Sequence, residues 1–156
     1  MFIGHLPGGY LVARTLWRDT PRAIMVAALI GSVLPDIDLL WFYFVDQRAV
    51  HHHEYITHRP AVWAALAAIG TVFHKPITLA LGVGGLVHMA LDSIAGAIAW
   101  GWPFSDVSRP LVVVPATHDH WVNSFLNHWT FQVEIALTLL ALFVAIKSNF
   151  GVEKKA

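Results

Sequence analysis

His88 and Asp92 are the only ionisable residues in the segment from Pro76 to Trp102, and they stand four positions apart. On a helix that spacing puts both side chains on one face. A neutral imidazole and an ionised carboxylate held together this way can bind a divalent cation. They can also hydrogen-bond to each other and fix helix packing. An acid at membrane depth is expensive, which makes it a functional-site candidate by default. Five more residues of the same chemistry, His5, Asp36, Asp38, His53 and His58, lie in or beside apolar stretches, so the seven together suggest a metal site.

Asp36 and Asp38 belong to the run Leu34-Pro35-Asp36-Ile37-Asp38. An interior proline removes a backbone hydrogen bond and disfavours helical geometry in the residue before it, so a helix break or restart is expected near Pro35. Asp36 can then ligate or bridge metals, and Asp38 can bind a second metal or act as a base; helix capping by one and solvation of the other is the plainer alternative. His53 and His58 come from the stretch His51-His52-His53-Glu54-Tyr55-Ile56-Thr57-His58-Arg59. A histidine run alone is weak evidence, since exposed loops tolerate it. Its two histidines around Glu54 are five apart rather than four, which excludes the helical His-Glu-x-x-His protease motif. Arg59 can pair with a phosphate or with a site carboxylate, or serve as an interfacial basic residue.

The elements that position these residues follow from composition. The chain has 156 residues, 56% hydrophobic and 13% charged, with ten basic and ten acidic residues and no cysteine. Charge this low, against about 25% in soluble domains, points to one membrane-associated domain, residues 1–156. Zero net charge gives no footprint for nucleic acid. Without thiolates, a metal must be held by nitrogen and oxygen. Against a spanning requirement of about 20 apolar residues, four stretches stand out: Ala23 to Val45, Ala61 to Phe73, Pro76 to Trp102 and Trp129 to Ile146. Ala61 to Phe73 is short for a full crossing, and Gly82, Gly84 and Gly85 suggest close helix contact. The expected fold is all-α, a polytopic helical membrane protein with about four membrane-embedded helices around a polar His/Asp site.

Basic residues in short loops tend to stay cytoplasmic. With the first long segment running outward, Arg14, Arg18, Arg22, Lys75, Lys147, Lys154 and Lys155 are inside, and Arg48, Arg59 and Arg109 outside. That assignment predicts both termini in the cytoplasm and puts the loops carrying His51 to His58 and His118 to His128 on a common outer side. The N-terminus lacks the pattern of a cleaved signal peptide and is expected to be retained.

The order His5, Leu-Pro-Asp36-Ile-Asp38, His53-x-x-x-Thr57-His58, Gly85-Leu-Val-His88-Met-Ala-Leu-Asp92 and Pro103-Phe104 resembles the YdjM-like family of membrane-associated, metal-dependent hydrolase-like proteins over roughly Met1 to Phe104. The resemblance implies an all-helical protein of the cell (inner) membrane with a His/Asp metal centre made from His5, Asp36, Asp38, His53, His58, His88 and Asp92. One departure follows His53, where the family usually has Arg-Gly and this chain has Glu54-Tyr55; Arg59 is the nearby cation. The ligand order is also similar, more weakly, to the zinc-dependent phospholipase C and P1 nuclease group. That likeness implies one metal at Asp36, His58, His88 and Asp92, with Asp92 bridging towards a second site that includes His5. The group's later His-x-x-x-Glu pair has no counterpart, because Gln132 follows His128 and Glu134 has the wrong spacing.

The expected function is metal-assisted hydrolysis of a phosphoester, on a phospholipid or lipid-linked phosphate drawn from the membrane lipids. Asp38 or Asp36 would orient or deprotonate water, Arg59 would contact phosphate, and Zn(II) is the first expectation for the metal, ahead of Mn(II) or Fe(II). Two rivals use the same residues: a structural or partner-binding membrane protein with a metal-stabilised core, and a divalent-cation transporter. His118 and His120 are as readily loop residues as ligands, and His74 is expected at a helix end.

Overall fold

The structure is a computed structural model that describes residues 3–17 and 21–153, with side chains up to residue 148. Arg18, Lys154 and Lys155 of the orientation argument lie outside the described residues. The expected all-α class holds: among the described residues there are helices α1 (His5–Leu16), α2 (Arg22–Gly31), α3 (Asp38–Phe44), α4 (Pro60–Val72), α5 (Pro76–Asp92), α6 (Trp121–Leu126) and α7 (Trp129–Glu153). Short 3-10 turns at Leu34–Ile37, His52–Glu54 and Ile56–His58 carry much of the polar sequence. A lone antiparallel bridge, Ile98 to Arg109, is the sole extended pairing among these residues.

Prolines set the boundaries. Pro60 and Pro76 open α4 and α5, where a missing N–H is harmless and the fixed φ suits the first turn. Pro35 acts as expected: α2 stops at Gly31, and the pair Arg22–Gly31 and Leu34–Phe44 is bent by 53°.

α5 is the central helix, packed against α4, α2 and α1. Its glycines make that possible. A Cβ on Gly84 would lie 2.2 Å from the Ala28 carbonyl oxygen, and one on Gly85 would fall 2.1 Å from the Trp63 ring. Ala13, Ile24, Ala27, Ala28 and Ala80 fill one part of the core, and Trp63, Met89 and Ile98 another.

The four expected crossings are not all there as spans. One described helix is long and apolar enough by itself, Trp129–Ser148; the bent pair through α2 and α3 qualifies only if taken as one broken span. At 1.5 Å per residue, the 13 residues of α4 and 17 of α5 are about 20 and 25 Å long. Both are shorter than the roughly 30 Å hydrocarbon core. The stretch from Pro76 to Trp102 does not run through as one helix, because the chain turns at Asp92, where the Gly96 N–H donates to the Asp92 carbonyl at 2.6 Å. Exposed apolar side chains are abundant: Leu139 and Phe143 on α7 are 61% and 62% exposed, and Trp41 and Phe44 on α3 are 56% and 80%.

The connectivity gathers one set of helix ends. α1 begins, α2 ends, α4 begins and α5 ends beside the polar cluster, and the start of α7 joins them through Glu134, which accepts from the Ile3 and Gly4 N–H groups at 2.6 and 3.0 Å. The described start of the chain therefore sits at the cluster end, while α7 runs away from it.

Candidate metal centre

Six of the seven acid and histidine residues singled out from the sequence converge with short polar contacts on the end of α5, and the seventh, Asp38, is joined to them through His58. His88 and Asp92 project from its last turns, Asp36 comes from the 3-10 turn that Pro35 starts, and His58 ends the turn before α4. One ligand atom from each of Asp36, His58, His88 and Asp92 lies within 4.8 Å of every other. The separations are 3.3 Å between His58 Nε2 and His88 Nε2, 3.1 Å from His88 Nε2 to Asp92 Oδ2, 3.5 Å from His58 Nε2 to Asp92 Oδ2, and 3.7 Å from Asp36 Oδ1 to each imidazole. A tetrahedral cation with ligands at about 2.0–2.1 Å separates them by about 3.3–3.4 Å, so these five separations match such a cage to within a few tenths of an ångström. His58, His88 and Asp92 are fully or almost fully buried, whereas the Asp36 side chain is 32% exposed.

The outer ring nitrogens leave the inner ones available as ligand atoms. His88 Nδ1 is 2.9 Å from the Ser32 carbonyl oxygen, which can only accept, so Nδ1 carries the hydrogen and Nε2 of the neutral ring carries a lone pair. His58 Nδ1 is 2.5 Å from Asp38 Oδ2, which fixes the same tautomer. Two lone pairs then face each other at 3.3 Å beside a carboxylate, an arrangement that calls for a cation between them. A carbonyl or carboxylate behind each histidine is the usual support for metal-ligating imidazoles. The residues present therefore fit a divalent metal.

Asp38, His5 and His53, also expected as ligands, contact the four-residue group from outside it. Asp38 stands outside the four-residue group; its Oδ2 takes the His58 N–H and, at 2.5 Å, the Thr57 hydroxyl, so it orients His58. His5 stacks on His88 with ring centroids 3.8 Å apart. It donates from Nε2 to Asp92 Oδ1 at 3.0 Å, while its Nδ1 faces Asp36 Oδ2 at 3.6 Å. His5 thus holds the outer oxygens of two carboxylates whose inner oxygens form the cage. His53 Nε2 lies 3.5 Å from Asp92 Oδ2 at the rim.

Protonation follows burial and neighbours. Burial pushes His5 below its ordinary value against the opposing pull of Asp92, and burial takes His53 down to about 4. Burial also opposes a charge on His58, but its bonds to Asp38 and Asp92 prevail and push it up to about 9. Without a metal, a proton on His58 is the cation that the cluster retains.

The other residues singled out from the sequence have partners of their own. Arg59 donates to the Glu54 carbonyl at 2.8 Å and pairs with exposed Asp106 at 3.8 Å, rather than with a site carboxylate. The loop of His118, His120 and His128 does not share the site: His118 bonds to Thr117, His120 caps α6, and His128 bonds to Thr130. His74 does fall at a helix end, in the turn after α4 with φ 52°. Two participants were missed from sequence. Ser32 acts through its carbonyl, which no residue type reveals, and His52, whose Nδ1 lies 3.7 Å from Asp38 Oδ1, was hidden in a run without periodicity.

No curated protein and no solved structure matches this chain. The family description YdjM inner membrane protein matches residues 1–152, which includes every residue of the cluster and all of α7's apolar stretch. The chain is a membrane protein that belongs to the YdjM inner membrane protein family.

Proposed function

We propose that this protein is a membrane-bound metal-dependent hydrolase, a phosphoesterase acting on a phospholipid or lipid-linked phosphate. The observation that carries the reading is the cage of Asp36, His58, His88 and Asp92 at one end of an apolar helical bundle. Held by His58, His88 and Asp92, a divalent cation there, Zn(II) before Mn(II) or Fe(II), would polarise a phosphoryl oxygen and lower the pKa of a water entering at the partly exposed Asp36 corner. Asp36, the partly exposed corner, meets incoming water and substrate first and is placed to orient or deprotonate the water. Asp38 keeps His58 in the ligating tautomer. His5 and His53 hold Asp92, and burial lowers the proton affinity of both, which favours the uncharged rings beside a metal.

The setting favours a lipid. Arg14 near the end of α1, Arg22 at the start of α2, Lys75 between α4 and α5, and Lys147 late in α7 all belong to the end away from the cluster, while Arg48, Arg59 and Arg109 lie on the cluster side. With positive residues inside, the site faces the outer surface of the membrane, and the C-terminal end of α7 faces the cytoplasm. The bent α2–α3 pair, α4, α5 and α7 are then the four membrane-embedded elements, and irregular backbone at the cluster is tolerated because it lines a polar site. A phosphate head group can reach Asp36 while its chains remain in lipid. Transport fits less well, since the far part of the bundle is closed by Ala13, Ala28 and Ala80, each at most 1% exposed.

The test is release of phosphate or phosphorylated head group from vesicles of defined phospholipids by tag-free protein, with and without chelator and with His88→Ala. Metal-dependent release lost in the variant supports the reading. A well-folded, metal-loaded protein that releases nothing across phosphoester lipids turns it towards a structural metal protein.

A further inference from the structure

Behind the four-residue cage lies a polar pair, Asp38 Oδ1 and His52 Nδ1, that the proposed chemistry leaves unused. Asp38 is 6% exposed and sits at the start of α3. Its Oδ2 accepts from His58 and Thr57, but its Oδ1 is shut off from solvent and has no hydrogen-bond partner. Facing it at 3.7 Å is His52 Nδ1, equally enclosed and equally without a hydrogen bond. Two buried polar atoms left in that state carry the full desolvation penalty of each, and 3.7 Å is too long for a hydrogen bond between them. It is a normal separation for two ligands of one metal ion. The His52 ring is also held in place: His51 stacks on it at 5.1 Å, and Phe42 meets it edge-on at 6.1 Å.

We infer that Asp38 Oδ1 and His52 Nδ1 form a second divalent-cation site, distinct from the Asp36, His58, His88 and Asp92 cage. Mixed carboxylate and imidazole ligation suits a borderline cation of the Zn(II) class. With two protein ligands in place of four, the second ion binds more weakly than the first, and the water that completes its shell enters with it along the His52 edge, 23% exposed as a side chain. His58 and Asp38 link the sites, because Asp38 gives one oxygen to the His58 N–H and the other to the second ion. The site requires no hydrolytic activity, so it goes beyond the functional reading.

Equilibrium dialysis of the tag-free full chain against Zn(II), read by elemental mass spectrometry, tests it. Wild type should reach two equivalents in two steps. His52→Ala should keep the tight equivalent and lose the weak one, Asp38→Asn should also lose the weak one, and His51→Ala should keep both. Saturation at one equivalent in the wild type, or a second equivalent retained in His52→Ala, overturns the inference. So does a second equivalent that survives Asp38→Asn but disappears in His51→Ala, which would mark simple capture by the histidine run. Asp92→Ala separates the two claims: loss of the tight equivalent alone supports two sites, whereas no tight equivalent in any protein removes the cage but leaves the Asp38–His52 site to be judged on its own variants.

Discussion

His58 Nε2 and His88 Nε2 point at each other across 3.3 Å while each ring spends its other nitrogen on a fixed acceptor, Asp38 for one and the Ser32 carbonyl for the other. Neither inner nitrogen can donate to its neighbour in the neutral state, so the pair suits a positive charge between them, either a metal ion or the proton that His58 keeps. Removing a ligand from such a cage should remove the ion. Tag-free His88→Ala and Asp92→Ala are expected to lose stoichiometric metal, and His74→Ala to keep it, by elemental mass spectrometry. Equal metal content in His88→Ala and wild type would contradict the cage.

How much of this was legible before the fold was known depends on whether a residue's signal is local. His88 and Asp92 stood out because an i, i+4 polar pair in an apolar helix has few other meanings, and Asp36 because Pro35 announces a break. The end of α5 at Asp92 was not legible: Ile94, Ala95, Ala97, Ile98 and Ala99 keep the composition apolar, and hydropathy does not separate a helix from a buried turn. α1 also went unread, since its burial is spread over His5, Gly8, Gly9 and Ala13, two of which are poor helix formers. Separating the oriented role of Asp38 from the ligand role of Asp36 needed coordinates, because two acids two positions apart carry the same sequence signal.

That separation gives a graded expectation. Asp38→Asn keeps the shape of the side chain but replaces the carboxylate behind His58 with a neutral amide. The first metal should still bind at saturation, with affinity lower by about 10–100-fold, as for other outer partners of ligating histidines. A competition titration against a chelator of known affinity measures it; an unchanged constant would show that Asp38 does not tune His58.

Metal uptake should be steeply pH dependent. In the metal-free cluster His58 keeps its proton up to about pH 9, and ligation requires the neutral ring. Below that value each ion must expel a proton, so apparent affinity should fall as pH falls, by about tenfold per unit for one proton. His53 at the rim, lowered to about 4, is already neutral through most of this range and adds no proton of its own. Calorimetry in buffers of different ionisation enthalpy at pH 7 should count at least one proton released per ion bound; none released would contradict the assignment.

The packing that aims α5 is equally exposed to test. A methyl on Gly84 meets the Ala28 carbonyl oxygen at 2.2 Å, and backbone cannot rotate out of the way as a side chain can. Gly84→Ala should therefore force α5 from α2 and destabilise by about 1–3 kcal/mol, lowering Tm by roughly 2–4 °C per kcal/mol in detergent. An unchanged Tm would mean that the two helices have slack between them.

Glu134 ties the membrane helix to the site. It is fully buried in α7, and one of its oxygens takes both the Ile3 and Gly4 N–H groups immediately before His5. Those bonds fix where α1 begins, hence where His5 can reach Asp92 and stack on His88. Backbone N–H groups left buried without an acceptor cost about 1–3 kcal/mol, so Glu134→Ala should lower thermal stability by that order. It should also weaken metal binding, although Glu134 lies outside the cage. Glu134→Gln, which retains an acceptor oxygen, should restore much of both. If Glu134→Ala lowered Tm but left the metal affinity intact, the glutamate would serve packing alone, and the start of α1 would be held by His5 itself.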